Sequence, residues 1–496
     1  MQSEKKFREI SRKIDAYEYV LTIIGWDSST EAPRKSFKRR AEMLGVITRE
    51  LYALGVSKEY QDVVNDLYSR LDTLNDHLQR EIKKANKELR RIRSIPEDEF
   101  VEYNKLLQLS QQAWEDAKKN NDYESFKGNL EKIIDFNKKF ALYFEPEKDP
   151  YDTLLDRFEE GMSTKEYDEF FNHLKKELVP FVRKVLEVTN NKYDKFINDS
   201  FDPKKQEEFC NYLIDVFKFD RERGLMKKSV HPFTWNTSPE DVRFTTRYLE
   251  NYVFSSIFAA IHELGHATYE QQISTDLDGT LLTGGTSMGI HESQSRFYEN
   301  TIGRSLEFWE THLEKFKSYF PEQTKDIEAI DMFKAVNKVE ASLIRVEADE
   351  LTYPMHIMLR YDIERKLMSG EISVDELPKT WNDLMEEYLG IRPKTDSDGV
   401  LQDVHWSGGM IGYFPTYALG SAYSAQFYYA MKKDLDLEQL IKDNDISKVN
   451  EWLKEKIHKY GSSKTPKELL LEVTKEEFNA KYYVKYLIEK YSKIYF

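Results

Sequence analysis

Two histidines and a glutamate in this sequence have the residue types and the spacing of a metal site. His262 and His266 are four residues apart, and Glu263 follows the first of them. In a helix this spacing puts both imidazoles on one face, where they can bind a single Zn²⁺ ion. The glutamate of such an H-E-x-x-H pattern lies beside the open position of the ion and can act as a base. The apolar residues before His262 follow a helical period, which predicts a helix facing the core.

A catalytic zinc site needs a third protein ligand and an open fourth position. His291 and Glu292 are the candidates, since they follow a Gly/Thr-rich segment and Glu292 lies 26 residues after His266. A His-His-Glu set would be coordination of the thermolysin type. The spacing does not choose between the two adjacent residues. The alternative to a metal site is a pair of partly exposed helix histidines beside a surface glutamate.

The elements that position these residues are predicted to be mostly α-helical. The chain contains 20 Gly and 14 Pro, about 7% of its residues where roughly 12% is usual. The segments from Ser57 to Ala141 and from Asp434 to Phe496 have the mixed charge and apolar period of helices with one solvated face. Capping-box patterns that begin at Ser94, Ser163 and Thr465 predict three helix starts.

Two segments interrupt this helical sequence pattern. The first, from Asp276 to Gly289, is rich in Gly and Thr, which predicts turns and one or two short strands near the metal motif. The second runs from Arg392 to Pro415. The sequence contains no fixed-period repeat and no low-complexity linker. We therefore expect a single α-helical domain over residues 1–496, which can be built from two subdomains that flank a cleft.

Composition and charge exclude several classes of protein. Of the 496 residues, 40% are hydrophobic and 32% are charged, which predicts a soluble globular chain. The net charge of −15 and the lack of a basic stripe argue against a nucleic-acid partner. The apolar stretch from Tyr19 to Trp26 is too short for a membrane span, which needs about 20 residues. With one cysteine, Cys210, no internal disulfide can form, and we expect a buried thiol in a cytoplasmic protein.

Beyond the metal motif, short recognisable motifs occur along nearly the whole chain. They are, in order, Trp26-Asp27 with Pro33, His231-Pro232-Phe233, Asp241-Val242-Arg243-Phe244-Thr245, His262 to His266, His291-Glu292-Ser293-Gln294, Ile344-Arg345-Val346-Glu347-Ala348-Asp349, Gly399 to Trp406, and Gly412 to Tyr417. In this set and order the chain resembles the thermostable carboxypeptidase 1 (Taq-type) metallocarboxypeptidases. One departure is Ala32 before Pro33, where the family pattern has Met. This position lies outside the metal motif.

The resemblance implies a fold, an activity and a metal. The family consists of cytosolic zinc exopeptidases with a mostly helical, clefted fold akin to neurolysin and angiotensin-converting enzyme. It implies that Glu292, not His291, is the third metal ligand. It also implies release of single residues from the free C-terminus of peptides, with broad preference among side chains. Homodimers are common in the family, and Co²⁺ is an alternative to Zn²⁺, with one ion per chain.

A zinc mechanism gives Glu263 its role. Zn²⁺ lowers the pKa of bound water towards about 7 and polarises the scissile carbonyl. Glu263 would take the proton of this water and give it to the leaving amine. By similarity to related helical zinc peptidases, His405 and Tyr413 are the candidate hydrogen-bond donors to the oxyanion, with Tyr417 as a further candidate and a substrate contact.

A peptidase that removes C-terminal residues must also bind a free carboxylate, for which Arg is best suited. The family motifs offer Arg345 and Arg243 for this role, and His231 as a further substrate contact. The alternative for the two arginines is a structural ion pair with an acid such as Asp349 or Asp241. A last candidate, Arg296, lies four residues after Glu292 and is predicted to orient that carboxylate.

Two other functions remain open at this point. The first is a zinc endopeptidase or oligopeptidase, since relatives of the fold include both. The second is a helical scaffold with a degenerate or structural metal site, although a scaffold has no need of Glu263.

Overall fold

The computed structural model describes residues 2–190 and 192–496 of the chain. Most of this part is helical, as the scarcity of Gly and Pro predicts. The α-helices are α1 (Gln2–Thr30), α2 (Phe37–Gly55), α3 (Lys58–Ser69), α4 (Asp76–Ser94), α5 (Glu97–Asn120), α6 (Glu124–Phe144), α7 (Pro150–Phe158), α8 (Thr164–Val188), α9 (Asp194–Ile197), α10 (Pro203–Val216), α11 (Val253–Gln272), α12 (Met288–Arg296), α13 (Leu306–Tyr319), α14 (Ala329–Val336), α15 (Tyr353–Ser369), α16 (Leu377–Leu389), α17 (Pro415–Asp434), α18 (Leu437–Lys442), α19 (Ile446–Lys456), α20 (Pro466–Thr474) and α21 (Lys481–Tyr495).

Three helices pack together around the H-E-x-x-H segment. α11 contains the H-E-x-x-H segment, and α12 packs between α11 and α17. α12 continues directly into a π-helical turn, Phe297–Gly303. Most side chains of α11 and α17 are buried, so both helices lie within the core and not on the surface.

A small sheet of three strands packs against α11. Its strands are β1 (Gly224–Lys228), β2 (Thr234–Ser238) and β3 (Asp241–Thr246), and β3 lies between the other two. β3 is parallel to β1 and antiparallel to β2, with Thr234 opposite Phe244 and Trp235 opposite Arg243. Because neighbouring residues of a strand point to opposite faces, Thr234 and Arg243 lie on different faces of the sheet.

The β element near the metal motif is confirmed, but its expected position in the chain was wrong. The segment from Asp276 to Gly289 forms turns, the end of a short 3-10 helix and the start of α12. Gly279 and Gly284 in this segment have φ values of 68° and 93°, which reverse the chain and are incompatible with an extended strand. The second irregular segment, from Arg392 to Pro415, contains a short 3-10 helix (His405–Gly408) between turns, as expected.

The predicted helical segments are confirmed, and two of the three capping boxes form. Ser163 caps α8 and Thr465 caps α20, each with the reciprocal glutamate contact. Ser94 instead ends α4, and its hydroxyl donates to the carbonyl oxygen of Arg91 at 2.8 Å. The next helix starts only after Pro96, because the residue before a proline avoids the helical conformation.

The buried apolar side chains form two clusters. The larger one runs from Ala117 to Ile494 and includes residues of α11, α12 and α17. The smaller one joins α1, α3 and α4 through residues such as Phe7, Val64 and Ile82. The division into one domain over 1–496, with or without subdomains, stays a prediction. Among the described residues, every helix is too short or too polar to cross a membrane.

Candidate active site

The side chains of His262, His266 and Glu292 converge where α11 meets α12. The Nε2 atoms of His262 and His266 lie 3.6 and 3.4 Å from Oε2 of Glu292. All three ligand atoms lie within 4.8 Å of one another. Bonds of about 2.0–2.1 Å to one tetrahedral ion separate neighbouring ligand atoms by about 3.4 Å. The donor set and its spacing therefore fit a divalent cation.

Two glycines allow these helices to approach closely enough to form the group. A Cβ atom on Gly265 would lie 2.6 Å from the carbonyl oxygen of Gln294, so any larger residue there would push α12 away from α11. On the other side, a Cβ atom on Gly420 of α17 would lie 2.7 Å from Cβ of Glu292. The glycine inside the H-E-L-G-H segment is therefore part of what places Glu292 beside the histidines.

A carboxylate from the π-helical turn supports His262. Oε2 of Glu299 lies 2.9 Å from Nδ1 of His262, and its Oε1 accepts a hydrogen bond from Arg304 at 2.9 Å. Burial alone would lower the pKa of His262, but the charges of Glu292 and Glu299 outweigh it and raise the pKa. With Nδ1 engaged, Nε2 of His262 is the nitrogen that faces the metal position.

The carboxylate of Glu292 is oriented by Arg296, as the sequence predicts. Nε of Arg296 donates to Oε1 of Glu292 at 2.7 Å, which leaves Oε2 directed at the two histidines. Burial alone would raise the pKa of Glu292. Arg296 and the histidines outweigh burial and lower this pKa well below its usual value, so the carboxylate is ionised, as a metal ligand must be.

Glu263 is buried beside this group and contacts the sheet. The hydroxyl of Thr234 on β2 donates to Oε2 of Glu263 at 2.6 Å. Burial raises the pKa of the Glu263 carboxyl, while His262 and Thr234 oppose the shift. A carboxylate with a raised pKa is a stronger base than an exposed one, which suits proton transfer near neutral pH.

His405, Tyr413 and Tyr417 form an aromatic cluster near the metal group. Nε2 of His405 lies 3.5 Å from the hydroxyl of Tyr417, and the rings of Tyr413 and Tyr417 are 5.3 Å apart. Burial is the main cause of the raised pKa of Tyr413, and the charge of Glu292 adds to it. Burial lowers the pKa of His405 to about 4 against the opposing charge of Asp403, so the ring is neutral at pH 7.

Arg345 lies next to this cluster and is buried. Its Nε and Nη2 atoms donate to Oδ1 of Asp403 at 3.0 and 2.9 Å, and its Nη1 atom donates to Tyr353 at 3.2 Å. Its guanidinium carbon is 5.2 Å from the ring centre of Tyr417. The ion pair is thus formed with Asp403 and not with Asp349. Three of the five N–H donors of Arg345 are used within the protein.

Among the described residues, neither Arg243 nor His231 contacts the converging side chains. Arg243 donates through Nε and Nη2 to both oxygens of Asp241, each at 2.7 Å, and faces Trp26 of α1. This is the sheet face opposite to Thr234. His231 is exposed in the loop before β2, where its carbonyl oxygen accepts a hydrogen bond from Ser229. Substrate contacts by these two residues stay predictions.

Comparison with known proteins identifies the family. Residues 6–491 match the family model described as carboxypeptidase Taq (M32) metallopeptidase. The chain belongs to the M32 metallopeptidase family. It is therefore a hydrolase of the metallocarboxypeptidase type, which acts on peptides and depends on a divalent metal. The His-His-Glu group on α11 and α12 is the set of donors that fits this metal.

The similarity to M32 proteins covers nearly the whole chain. Carboxypeptidase 1 of Bacillus subtilis is 42% identical over 493 residues, which are 99% of this chain and 98% of that protein. Thermostable carboxypeptidase 1 of Pyrococcus furiosus is 38% identical over 97% of this chain and 96% of its own length. The crystal structure of the M32 carboxypeptidase from Deinococcus radiodurans has a TM-score of 0.96 at 33% identity, with complete coverage of both chains. The mostly helical fold is thereby confirmed.

Three residues that contact the candidate site were not predicted from the sequence. Glu299 supports His262, Thr234 contacts Glu263, and Glu270 contacts His291 at 2.7 Å. Glu270 lies four residues after His266, so the helical spacing that links the two histidines also indicates it. Glu299 lies in the π-helical turn, which brings it within reach of His262. No sequence pattern predicts a π-helical turn at this position.

Proposed function

We propose that this protein is a zinc carboxypeptidase that releases single amino acids, with broad preference, from the free C-terminus of peptides. The observation that carries the proposal is the convergence of His262, His266 and Glu292 with the buried carboxylate of Glu263 beside them. When bound, Zn²⁺ supplies Lewis-acid polarisation of the scissile carbonyl and activation of water. Co²⁺ is the alternative ion, and one ion per chain fits the one such donor set found in the part of the chain that the structure describes.

The protein groups then carry the proton transfers and the charge stabilisation. Glu263, positioned by Thr234, accepts a proton from the attacking water and passes it to the leaving amine. The neutral ring of His405 and the hydroxyl of Tyr413 donate hydrogen bonds to the developing oxyanion. Their support is a series of contacts from the aromatic cluster to Glu292. The ring of Tyr417 is 6.4 Å from that of Tyr353, and the guanidinium of Arg296, which donates to Glu292, is 4.8 Å from the ring centre of Tyr353.

We assign the substrate carboxylate to the surroundings of Arg345 and Tyr417. Arg345 lies against Tyr417 and retains two N–H donors beyond those used by Asp403 and Tyr353. Arg243 has less support for this role, because it pairs with Asp241 on the far face of the sheet. His231 remains assigned to substrate binding, and the protein is expected to be a cytoplasmic homodimer.

The deciding experiment compares a free-acid peptide with its C-terminally amidated twin. Each is incubated with the purified protein, with and without a chelator, and the products are read by mass spectrometry. We expect stepwise loss of C-terminal residues from the free acid alone, abolished by the chelator. Internal cuts in both peptides would show an endopeptidase. If no cleavage followed the addition of Zn²⁺ or Co²⁺, the protein would be a scaffold with a metal site.

A further inference from the structure

The two ligand histidines have different partners at their second ring nitrogen. His262 contacts the carboxylate of Glu299. His266 instead contacts a second imidazole, since its Nδ1 atom lies 2.6 Å from Nδ1 of His291. The other nitrogen of His291, Nε2, lies 2.7 Å from Oε1 of Glu270. A chain of imidazole, imidazole and carboxylate therefore lies behind one metal ligand.

The direction of these hydrogen bonds follows from the metal position. Nε2 of His266 faces Oε2 of Glu292, so the proton of this neutral ring is on Nδ1. Nδ1 of His266 then donates to Nδ1 of His291, and Nε2 of His291 donates to Glu270. Each ring N–H in this series therefore points at an acceptor. Both nitrogens of His291 are used, which makes this residue a support of His266 and not a third metal ligand.

Neighbouring residues hold the hydrogen-bonded series of His266, His291 and Glu270 in one geometry. A Cβ atom on Gly285 would lie 2.5 Å from Cδ2 of His291, and the ring of Tyr269 is 5.0 Å from that of His291. Glu270 is fixed in turn by the side-chain amide of Asn236 at 2.8 Å and by the backbone N–H of Gly285 at 3.2 Å. These contacts leave His291 little freedom to turn away from His266.

The geometry points to His291, fixed by Glu270, as the positioning residue that sets the tautomer and the orientation of His266 for metal binding. This inference rests on the proposed metal site. His266 and Glu270 lie four residues apart on α11, whereas His291 comes from α12. The chain of contacts therefore also fixes the relative position of the two helices that supply the metal ligands.

The test measures Zn²⁺ affinity by competition with a coloured chelator in three variants. H291L removes both ring nitrogens, whereas H291N keeps an amide oxygen near the position of Nδ1 that can accept from His266. E270Q keeps the length of its side chain but loses the charge that His291 contacts. The matched control is H458L, since His458 is also buried against Tyr269 but contacts Gln272 and Gln294 instead of a ligand. The melting temperature (Tm) of each metal-free protein reports folding.

We expect H291L to weaken Zn²⁺ binding about 10–100-fold, the range found when a partner of a ligand histidine is removed. H291N is expected to recover most of this loss, E270Q to lose affinity to a smaller extent, and H458L to bind as the parent does. The absorption spectrum of the Co²⁺ form is expected to change in H291L and to return towards the parent spectrum in H291N.

Parent-like affinity in H291L would overturn the inference, as would equal losses in H291L and H291N. If H291L does not fold, the Zn²⁺ affinity of E270Q tests the inference instead. An E270Q protein that binds Zn²⁺ as tightly as the parent would contradict the role of His291 and Glu270. A parent protein that binds neither Zn²⁺ nor Co²⁺ would instead refute the proposed function itself.

Discussion

Buried charge around the metal position is balanced side chain by side chain. Glu292 is paired with Arg296, and Glu299 is paired with Arg304 and His262. An unpaired buried carboxylate is costly, so such pairing is required to keep these groups ionised inside the protein. Glu263 differs from them, because the neutral hydroxyl of Thr234 is the only side-chain hydrogen-bond donor to it within residues 2–190 and 192–496. This difference leaves its carboxylate free to accept a proton.

The first prediction concerns that carboxylate. Glu263→Gln is expected to lower kcat/KM about 10²–10⁴-fold, because an amide cannot accept the proton of the attacking water. Thr234 can still donate to the amide oxygen, so the local fold is retained. Peptide hydrolysis is followed by amino-acid release, and metal content is measured by elemental analysis of the same sample. We expect an unchanged metal content.

A Glu263→Gln protein that keeps more than a tenth of the parent activity would remove Glu263 from the mechanism. Loss of the metal together with activity would assign Glu263 a ligand role instead. Thr234→Val is the matched control at the contact, since it keeps the side-chain shape and removes the hydroxyl. It is expected to reduce activity less than the change at Glu263 and to leave metal content intact.

A single buried carboxylate connects the helices with the irregular segment that contains His405 and Tyr413. Glu364 on α15 accepts hydrogen bonds from Tyr151 of α7 at 2.8 Å and from Nε1 of Trp406 at 2.7 Å. It also accepts from the backbone N–H of Gly412 at 2.8 Å. Both ends of the segment between the two candidate oxyanion donors are thus attached to one side chain.

The second prediction follows from the pKa of this carboxyl. Burial raises the pKa of Glu364 to about 7, although its three donors oppose the shift. Because this pKa is raised on folding, the stability that the group contributes is complete below about pH 4.5 and is lost as pH rises through 7. The loss amounts to about 3 kcal/mol. Gln cannot ionise, so the free energy of unfolding of the Glu364→Gln protein lacks this dependence on pH.

We therefore expect the Tm advantage of the parent over Glu364→Gln to shrink between pH 5 and pH 8. Differential scanning calorimetry at a series of pH values measures both proteins at one scan rate. Glu159, whose pKa burial also raises to about 7, is present in both proteins and cancels in the difference. Parallel curves of Tm against pH would show that Glu364 does not titrate in this range.

Local elements of the site could be predicted from the sequence, and pairing between distant segments could not. The helix with His262 and His266 follows from the residues around it, since helical periodicity is a local property. The strands β1 to β3 were not predicted, because each has five or six residues and forms only against its partners. The turns at Gly279 and Gly284 were predicted from the Gly-rich segment, whereas the short strands expected beside them do not form there.

Ion pairs between distant segments could not be predicted from the sequence either, whereas local pairs could. Arg243 pairs with Asp241 two residues away, an alternative that the sequence offers directly. Arg345 pairs with Asp403, which is 58 residues away and lies in the irregular segment before Tyr413. The motif order identified both arginines, but the pair of Arg345 and Asp403 forms only because two irregular segments distant in the sequence meet in the fold. The expectation that Glu292 is the third ligand came from the family resemblance, because the spacing alone does not choose between His291 and Glu292.

The last prediction concerns the metal as a link between distant parts of the chain. Because the proposed ligands come from α11 and α12, and α12 packs on α17, binding of the ion would stabilise the folded protein and not the unfolded chain. At a free metal concentration of about 1,000 times Kd, the gain is about 4 kcal/mol. We expect chelation to lower Tm by several degrees, measured by calorimetry at one scan rate.

His266→Ala is expected to have a Tm that chelation barely changes, because its donor set is incomplete. Equal chelator-induced shifts in parent and variant would place the stabilising ion elsewhere than between α11 and α12.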